Sequence, residues 1–279
     1  MTKQLNHQPT VGFVGLGDQG GPMAEQIASA GHLLSVWARR PEALDTFTAR
    51  GIISTPDLAT LAARSDILAV CVRDDAGVTE VAREVLPIMK RDSILVIHST
   101  VHPDTCRSLA AQANAFGITI VDAPVSGGRV GALSGTLTVM AGCTPEALDR
   151  CRPIFESFAT LIVRVGEVGT GQLAKLINNS VMAANLAVAH ESAMVGAELG
   201  LDLVALGSVI SASSGQSFAH DTLARMPKVS DFAFGAILLR KDVRLLQEVG
   251  TARGVPVGGL TKAANRFLDI VDAAVAHRN

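Results

Sequence analysis

The sequence predicts an α/β chain, with a doubly wound parallel sheet over residues 1–166 followed by an all-helical domain over 167–279. Three observations carry this. Short apolar runs alternate with amphipathic stretches through the first part, and the strand signal stops after Val163–Val165. A run of helix composition from about 171 to 199 then separates the two regimes. Repeated strand–helix units imply parallel strands, with ligands bound beyond their carboxyl ends.

The elements follow in order. Val11-Gly-Phe-Val-Gly15 is a short apolar strand that runs into Gly15-Leu16-Gly17-Asp18-Gln19-Gly20. A helix pattern with Met23, Ile27 and Ala28 inward ends at Ala30-Gly31, where glycine is the usual stop. Leu33–Trp37 is the second strand. Ile67–Val72 and Ile94–Ile97 are continuous apolar runs, as expected of parallel strands buried on both faces. Helices are expected over 76–89 and 104–116, and a strand over 118–122. Beyond Gly166, the stretches 204–211, 218–226, 238–252 and 258–276 all read as helical.

Gly-x-Gly-x-x-Gly therefore sits between a strand and a helix inside a βαβ unit. There the glycines serve a tight turn, close backbone approach to a pyrophosphate, and close helix–strand packing. The helix N-terminus offers free N–H groups and a positive dipole end to phosphates. The end of the second strand carries Arg39 and Arg40 with no carboxylate before Glu42. Arginine there accommodates the 2′-phosphate of NADP, whereas a carboxylate would hold the ribose hydroxyl of NAD. NADP(H) is expected over NAD(H).

Three further stretches carry polar groups at informative places. Ser99 and Thr100 follow a buried strand. Ser126-Gly127-Gly128 lets successive N–H groups converge on an anion, with a hydroxyl as an added donor, which suits a substrate carboxylate. The long helix is apolar on nearly all sides and is expected to be a buried spine between the domains. Lys175 and Asn179 lie one turn apart near its start, on a polar end expected to face a shared cleft.

Composition excludes several classes. With 279 residues, 48 % hydrophobic and 18 % charged, the chain is globular and long enough for roughly two domains. A net charge of −2 with no basic block argues against nucleic acid or an anionic membrane as partner. The N-terminal residues are polar and lack a signal-peptide core, and the run 181–189 is broken by Asn185, too short to span a membrane. Four cysteines show no two-residue spacing, and His190-Glu191 has no second histidine four residues on, so no metal site is expected. A cytoplasmic, reducing location is expected.

Taken together these segments resemble the β-hydroxyacid dehydrogenase family, the relatives of 3-hydroxyisobutyrate dehydrogenase and tartronate semialdehyde reductase. Gly15–Gly20 resembles its dinucleotide fingerprint, Asp122-Ala-Pro-Val-Ser-Gly-Gly128 its substrate motif, Gly169-x-Gly171-x-x-x-Lys175-x-x-Asn178-Asn179 its catalytic motif, and Lys241-Asp242 its late cofactor-side motif. The resemblance covers essentially the whole chain. It implies a Rossmann-type sheet domain, a helical domain and reversible hydride transfer between NADP(H) and a short 3-hydroxy acid or semialdehyde. By the same resemblance, Lys175 is the general acid and base and Asn179 the amide that orients the reacting groups. Ser126, Gly127 and Gly128 cradle the substrate carboxylate. Val72, Thr100, Phe232 and Lys241 line the cofactor.

Service in both directions near neutrality requires the lysine pKa to fall well below about 10.4, which burial and a nearby cation would cause. Departures from the family pattern are Asp18 and Gln19 in the fingerprint, where Asn and Met are common. Ala38-Arg39-Arg40 stands where many NADP-preferring relatives have Asn-Arg-Thr. Asp18 is expected to be mildly unfavourable beside a pyrophosphate. The alternatives are an imine reductase, which generally carries an acid or tyrosine where this chain has Lys175, and a non-catalytic NADP(H)-binding module. The apolar helical domain implies a homodimer or homotetramer.

Overall fold

The computed structural model describes residues 8–226 and 228–277. The polar N-terminal segment read for targeting lies, as far as His7, outside them. The chain divides into two compact units, Met1–Lys175 and Leu176–Asn279, with the division inside a helix. The boundary expected at 166/167 coincides with the end of the last strand.

The first unit is built on a sheet whose strands are β1 (Thr10–Val14), β2 (Leu33–Trp37), β3 (Ile53–Ser54), β4 (Ile67–Val70), β5 (Ile94–Ile97), β6 (Thr119–Asp122), β7 (Val125–Ser126), β8 (Leu137–Gly142) and β9 (Ala159–Gly166). The order β3-β2-β1-β4-β5-β6 is parallel throughout. β8 then runs antiparallel to β6 and β7, and β9 pairs parallel to β8. β3, β7 and β8 escaped the sequence reading because two of them are two residues long and β8 begins inside a glycine-rich stretch.

Period-two alternation explains why both faces are covered. Val11, Phe13, Ile67, Ala69, Ile94 and Val96 pack on one side with Met23 and Ile27, while Leu68, Val70, Leu95 and Ile97 pack on the other with Leu61, Val78, Val81 and Leu109. All four side chains of β5 are at most 1 % exposed. Each such side chain contributes about 1.5–3 kcal/mol by leaving water. The strands are held rigid by this packing, so their carboxyl ends form a fixed platform.

The second unit is helical: the remainder of the helix Thr170–Glu198, then Leu203–Ser211, Phe218–Ala224, Ala233–Arg253 and Gly258–Ala276. Its core gathers Leu186, Ala236, Leu239, Val243, Phe267 and Leu268. The long helix is not buried all round. Ile177, Val181, Val188, Met194 and Val195 are 42–65 % exposed, which corrects the expectation of a fully covered spine. An all-apolar pattern reports what a helix is suited to pack against, not what one chain supplies. No helix among the described residues is long and apolar enough to cross a membrane.

Candidate active site

The turn after β1 takes the shape its glycines permit. Gly15 has φ +93°, and a Cβ there would lie 2.1 Å from the Cys71 carbonyl oxygen. A Cβ on Gly20 would lie 2.0 Å from the Gly15 oxygen, so the helix Gly20–Ser29 seats directly on the turn. Around Gly17 there is open space within 4 Å of where a Cβ would stand, which leaves its backbone approachable. Leu16 packs on the core, and the Gln19 Nε2 donor is buried beside the helix start without a partner. One tight turn, one open glycine, one close contact and an orphaned donor are what a pyrophosphate needs, so these residues fit a dinucleotide.

Arg129 Nη1 lies 3.2 Å from Asp18 Oδ1, in an ion pair exposed on both sides. Because Val14 pairs with Trp37, the chain after β2 continues beside the Gly15 turn. Arg39 there is exposed and donates to Glu80 Oε2 at 2.9 Å, and Arg40 is exposed at the head of a short turn.

At the ends of β4 and β5 the backbone N–H of Val72 donates to Ser99 Oγ at 2.8 Å. The next helix is capped by the His102 side chain, which accepts from Asp104 N. Gln172 Oε1 accepts from Val101 N at 3.0 Å and its Nε2 donates to the Ser99 carbonyl at 2.9 Å, so the peptide groups flanking Thr100 are both tied. His98 is buried among Phe13, Phe155 and Phe158 and donates from Nδ1 to the Ala123 carbonyl. Burial pushes its pKa down to about 4, so it is a neutral strut and not a base.

Ser126 closes β7, opposite Thr138. Gly127 and Gly128 have φ +128° and +60°, a pair that side chains rarely adopt and that brings their N–H groups round in sequence. They open a short helix, Gly128–Ser134, within the connection from β7 to β8.

The helix Thr170–Glu198 carries Lys175, which is buried at 9 % exposure. Its start is fixed by Asp122, whose Oδ1 accepts from Gly169 N at 2.6 Å and whose Oδ2 accepts from Gln172 N at 2.9 Å. Gly171 permits the contact, since a Cβ there would stand 2.4 Å from the Met140 carbonyl oxygen. Burial raises the Asp122 carboxyl to about 6, against the pull of those two N–H groups.

In the second unit Asn179 Nδ2 donates to Asp242 Oδ2 at 2.6 Å, and its Oδ1 accepts from Asn178 Nδ2 at 3.1 Å. Lys241 Nζ lies 3.0 Å from Asp242 Oδ1. Phe232 stacks edge-on against Phe267 at 5.6 Å and under Gly235.

Residues 10–168 match the family described as the NAD binding domain of 6-phosphogluconate dehydrogenase, and residues 169–278 the family described as the NAD-binding domain of NADP-dependent 3-hydroxyisobutyrate dehydrogenase. The chain belongs to the β-hydroxyacid dehydrogenase family. It is 32 % identical over 270 residues to the mitochondrial 3-hydroxyisobutyrate dehydrogenase of Homo sapiens, covering 92 % of this chain and 80 % of that one. It is 33 % identical to the NAD-dependent L-serine dehydrogenase of Pseudomonas aeruginosa, covering 92 % and 91 %. Among solved structures, the 3-hydroxyisobutyrate dehydrogenase of Mycobacterium tuberculosis with L-serine superposes with a TM-score of 0.84 at 28 % identity, covering 95 % and 94 %.

This β-hydroxyacid dehydrogenase is thus an NAD(P)-dependent oxidoreductase acting on CH–OH donors. Sequence reasoning missed the partners that hold its named residues. Asp122, Gln172 and Asp242 lie inside recognised motifs, and the one available signal was a carboxylate or amide recurring within an otherwise apolar element. Glu80 and Arg129 carry no pattern at all. Among the described residues no three His, Cys, Asp or Glu side chains group so as to hold a metal ion. The four cysteines are free, and burial raises the thiol pKa of each, to about 12 for Cys71 and Cys151.

Proposed function

We propose that this enzyme interconverts a short 3-hydroxy acid and its semialdehyde with NADP(H), using Lys175 as general acid and base. The observation that carries the reading is the buried side chain of Lys175, on a helix whose first turn is anchored to the sheet by Asp122 and Gln172. When bound, the nicotinamide supplies the hydride donor or acceptor. Ser126 Oγ and the N–H groups of Gly127 and Gly128 hold the substrate carboxylate and so fix which carbon is presented. In reduction the Lys175 ammonium donates a hydrogen bond, then a proton, to the carbonyl oxygen. In oxidation its neutral amine takes the hydroxyl proton. Asn179, one turn on, orients the reacting oxygen or the lysine, itself aligned by Asp242.

By family resemblance Val72, Thr100, Phe232 and Lys241 are assigned to the cofactor. Arg39 and Arg40 favour NADP through the 2′-phosphate. L-Serine, which is named for two of the relatives, and 3-hydroxyisobutyrate lead the substrates. The uncovered apolar residues of the second unit fit a second copy of the chain, giving a homodimer or homotetramer. Free buried cysteines fit a reducing cytoplasm.

The experiment is spectrophotometric: oxidation of 3-hydroxyisobutyrate, L-serine, glycerate and 3-hydroxypropionate with NADP and NAD in parallel, for the wild type and Lys175→Ala. Turnover with one acid, lost by orders of magnitude in the variant while NADPH still binds, is expected. Silence across the panel despite NADPH binding sinks the substrate class, and near-normal turnover by Lys175→Ala removes the lysine from proton transfer.

A further inference from the structure

The geometry points to Gln172 as a positioning residue for the proton-transfer lysine, acting with Asp122 as a clamp between the long helix and the loop that carries Thr100. This rests on the assignment of Lys175 above.

Every bond of the clamp lies within the first unit. Gln172 is fully buried, at 0 % exposure, and both ends of its amide are used. Val101 N donates to its Oε1 at 3.0 Å, and its Nε2 donates to the Ser99 carbonyl at 2.9 Å. Ser99 in turn receives the Val72 N–H on its hydroxyl. One side chain therefore fixes the ends of β4 and β5 relative to the first turn of the long helix. The same residue's backbone N–H is taken by Asp122, which also holds Gly169 N.

The seat beneath is free of side chains. A Cβ on Gly142 would come within 2.4 Å of Asp122 Oδ1 and 2.8 Å of Gly171 N, so the helix start rests on bare backbone. Gln172 and Lys175 are three apart, on neighbouring turns of one face. A helix pinned at this point can neither slide nor rotate without breaking several buried hydrogen bonds, each costly to leave unmade. A simple helix cap needs only Asp122. The second pair of bonds, to the loop around Thr100, has a consequence only if the lysine must be held against what that loop contacts. An ångström-scale misplacement in such an arrangement costs rate on the order of 10²-fold.

The test is a double-mutant cycle on the full chain with 3-hydroxyisobutyrate and L-serine as probes and NADP as cofactor, comparing wild type, Gln172→Met, Lys175→Ala and the double variant. Gln172→Met keeps the volume and removes both hydrogen bonds; Gln172→Asn, which withdraws the amide but keeps it, is the milder second variant. We expect kcat to fall 10- to 100-fold in Gln172→Met, and no further loss when the change is made in the Lys175→Ala background. Deuterium uptake by the peptide 98–102 should rise at least tenfold in Gln172→Met while the helix 258–276 exchanges as in wild type.

Losses of equal factor in both lysine backgrounds, or wild-type kcat with only a lowered Tm, make Gln172 merely structural and overturn the proposal. Unchanged uptake at 98–102 overturns it as well, and that readout needs no turnover. Near-normal activity of Lys175→Ala by itself overturns the lysine assignment instead, so the two failures are told apart.

Discussion

Asn179 and Asp242, 63 positions apart, are joined by a 2.6 Å hydrogen bond from the amide nitrogen to a carboxylate that is 3 % exposed. The donor faces an acceptor that has left water, so the amide's orientation is dictated by chemistry: Nδ2 must point at Asp242. Its oxygen is then the end left to meet Asn178 and whatever approaches the helix.

Replacement of Asn179 tests this. Asn179→Ala strips Asp242 Oδ2 of its donor and should cost about 1–3 kcal/mol, the usual penalty for a buried acceptor left unpaired. Asn179→Asp is closer in shape yet should be worse at pH 7.5, because it sets two carboxylates at hydrogen-bond distance and one must hold a proton. Relative to wild type at each pH, that variant alone should regain stability as pH is lowered to 5. Urea unfolding at the two pH values reads the order, and equal stability of Asp and Ala variants at pH 7.5 would contradict it.

These partners show where the sequence was readable. The Gly15–Gly20 turn, β2, β5 and the helix Gly258–Ala276 were legible to the residue or nearly so, because each is specified locally, by glycine spacing, continuous β-branched runs or 3.6-residue periodicity. The helix Ala233–Arg253 begins five residues before its expected start, since Phe234 and Gly235 argue against helix while the Phe232 ring beneath Gly235 supports one. Lys175, Asn179 and Ser126 stand out as candidates by residue type and position. The long-range bonds near Lys175 do not: Asp122 meets Gly169 across 47 positions and Gln172 meets Ser99 across 73, and no local pattern encodes either pairing.

The buried Asp122 gives the enzyme a pH dependence of defined sign. Burial raises its carboxyl from 3.8 to about 6 in the folded chain. Between those values the folded state holds a proton that the unfolded state has released. Its stabilising contribution is therefore complete below pH 3.8 and is lost as pH rises through about 6, a change of about 3 kcal/mol. Asp122→Asn cannot titrate. The stability of wild type minus that of Asp122→Asn should fall by roughly 2–3 kcal/mol from pH 4 to pH 7 in urea unfolding. A difference that stays level across this range means Asp122 titrates near its ordinary value.

Arg39, which we propose discriminates between the cofactors, already has a partner. Its ion pair with Glu80 is exposed on both sides, 76 % and 54 %, and such pairs contribute about 0–1 kcal/mol. A 2′-phosphate, with more charge and more acceptors, displaces a carboxylate that weakly held. Arg39→Ser should raise KM for NADP about 10- to 100-fold and leave KM for NAD within about threefold. Glu80→Ala should lower KM for NADP by no more than about fivefold, the ceiling set by the pair's own strength. Initial rates with both cofactors decide it; equal changes for NADP and NAD in Arg39→Ser would detach the arginine from the phosphate.

The helix Leu203–Ser211 has no buried residue although it is apolar on most sides: Leu203, Val204 and Val209 are 46 %, 80 % and 61 % exposed. Leu199 and Leu201 just before it, and Phe218 after it, are 72 %, 51 % and 70 % exposed. Monomeric proteins rarely leave more than a few hundred Å² of contiguous apolar surface in water, and homodimer interfaces are the more apolar kind. A second copy of the chain covering this helix removes the anomaly. Val204→Glu combined with Val209→Glu places two charges in that contact and disturbs nothing within the chain, since neither side chain is part of its core. Light scattering should then give the mass of one chain, against two or four for the wild type. Far-UV circular dichroism should be unchanged, because the helix keeps its Asp202 cap, which accepts from Val204 N at 2.8 Å. A wild type that is monomeric at micromolar concentration would leave the exposed helix without this explanation, and a double variant that remains oligomeric would place the contact elsewhere on the chain.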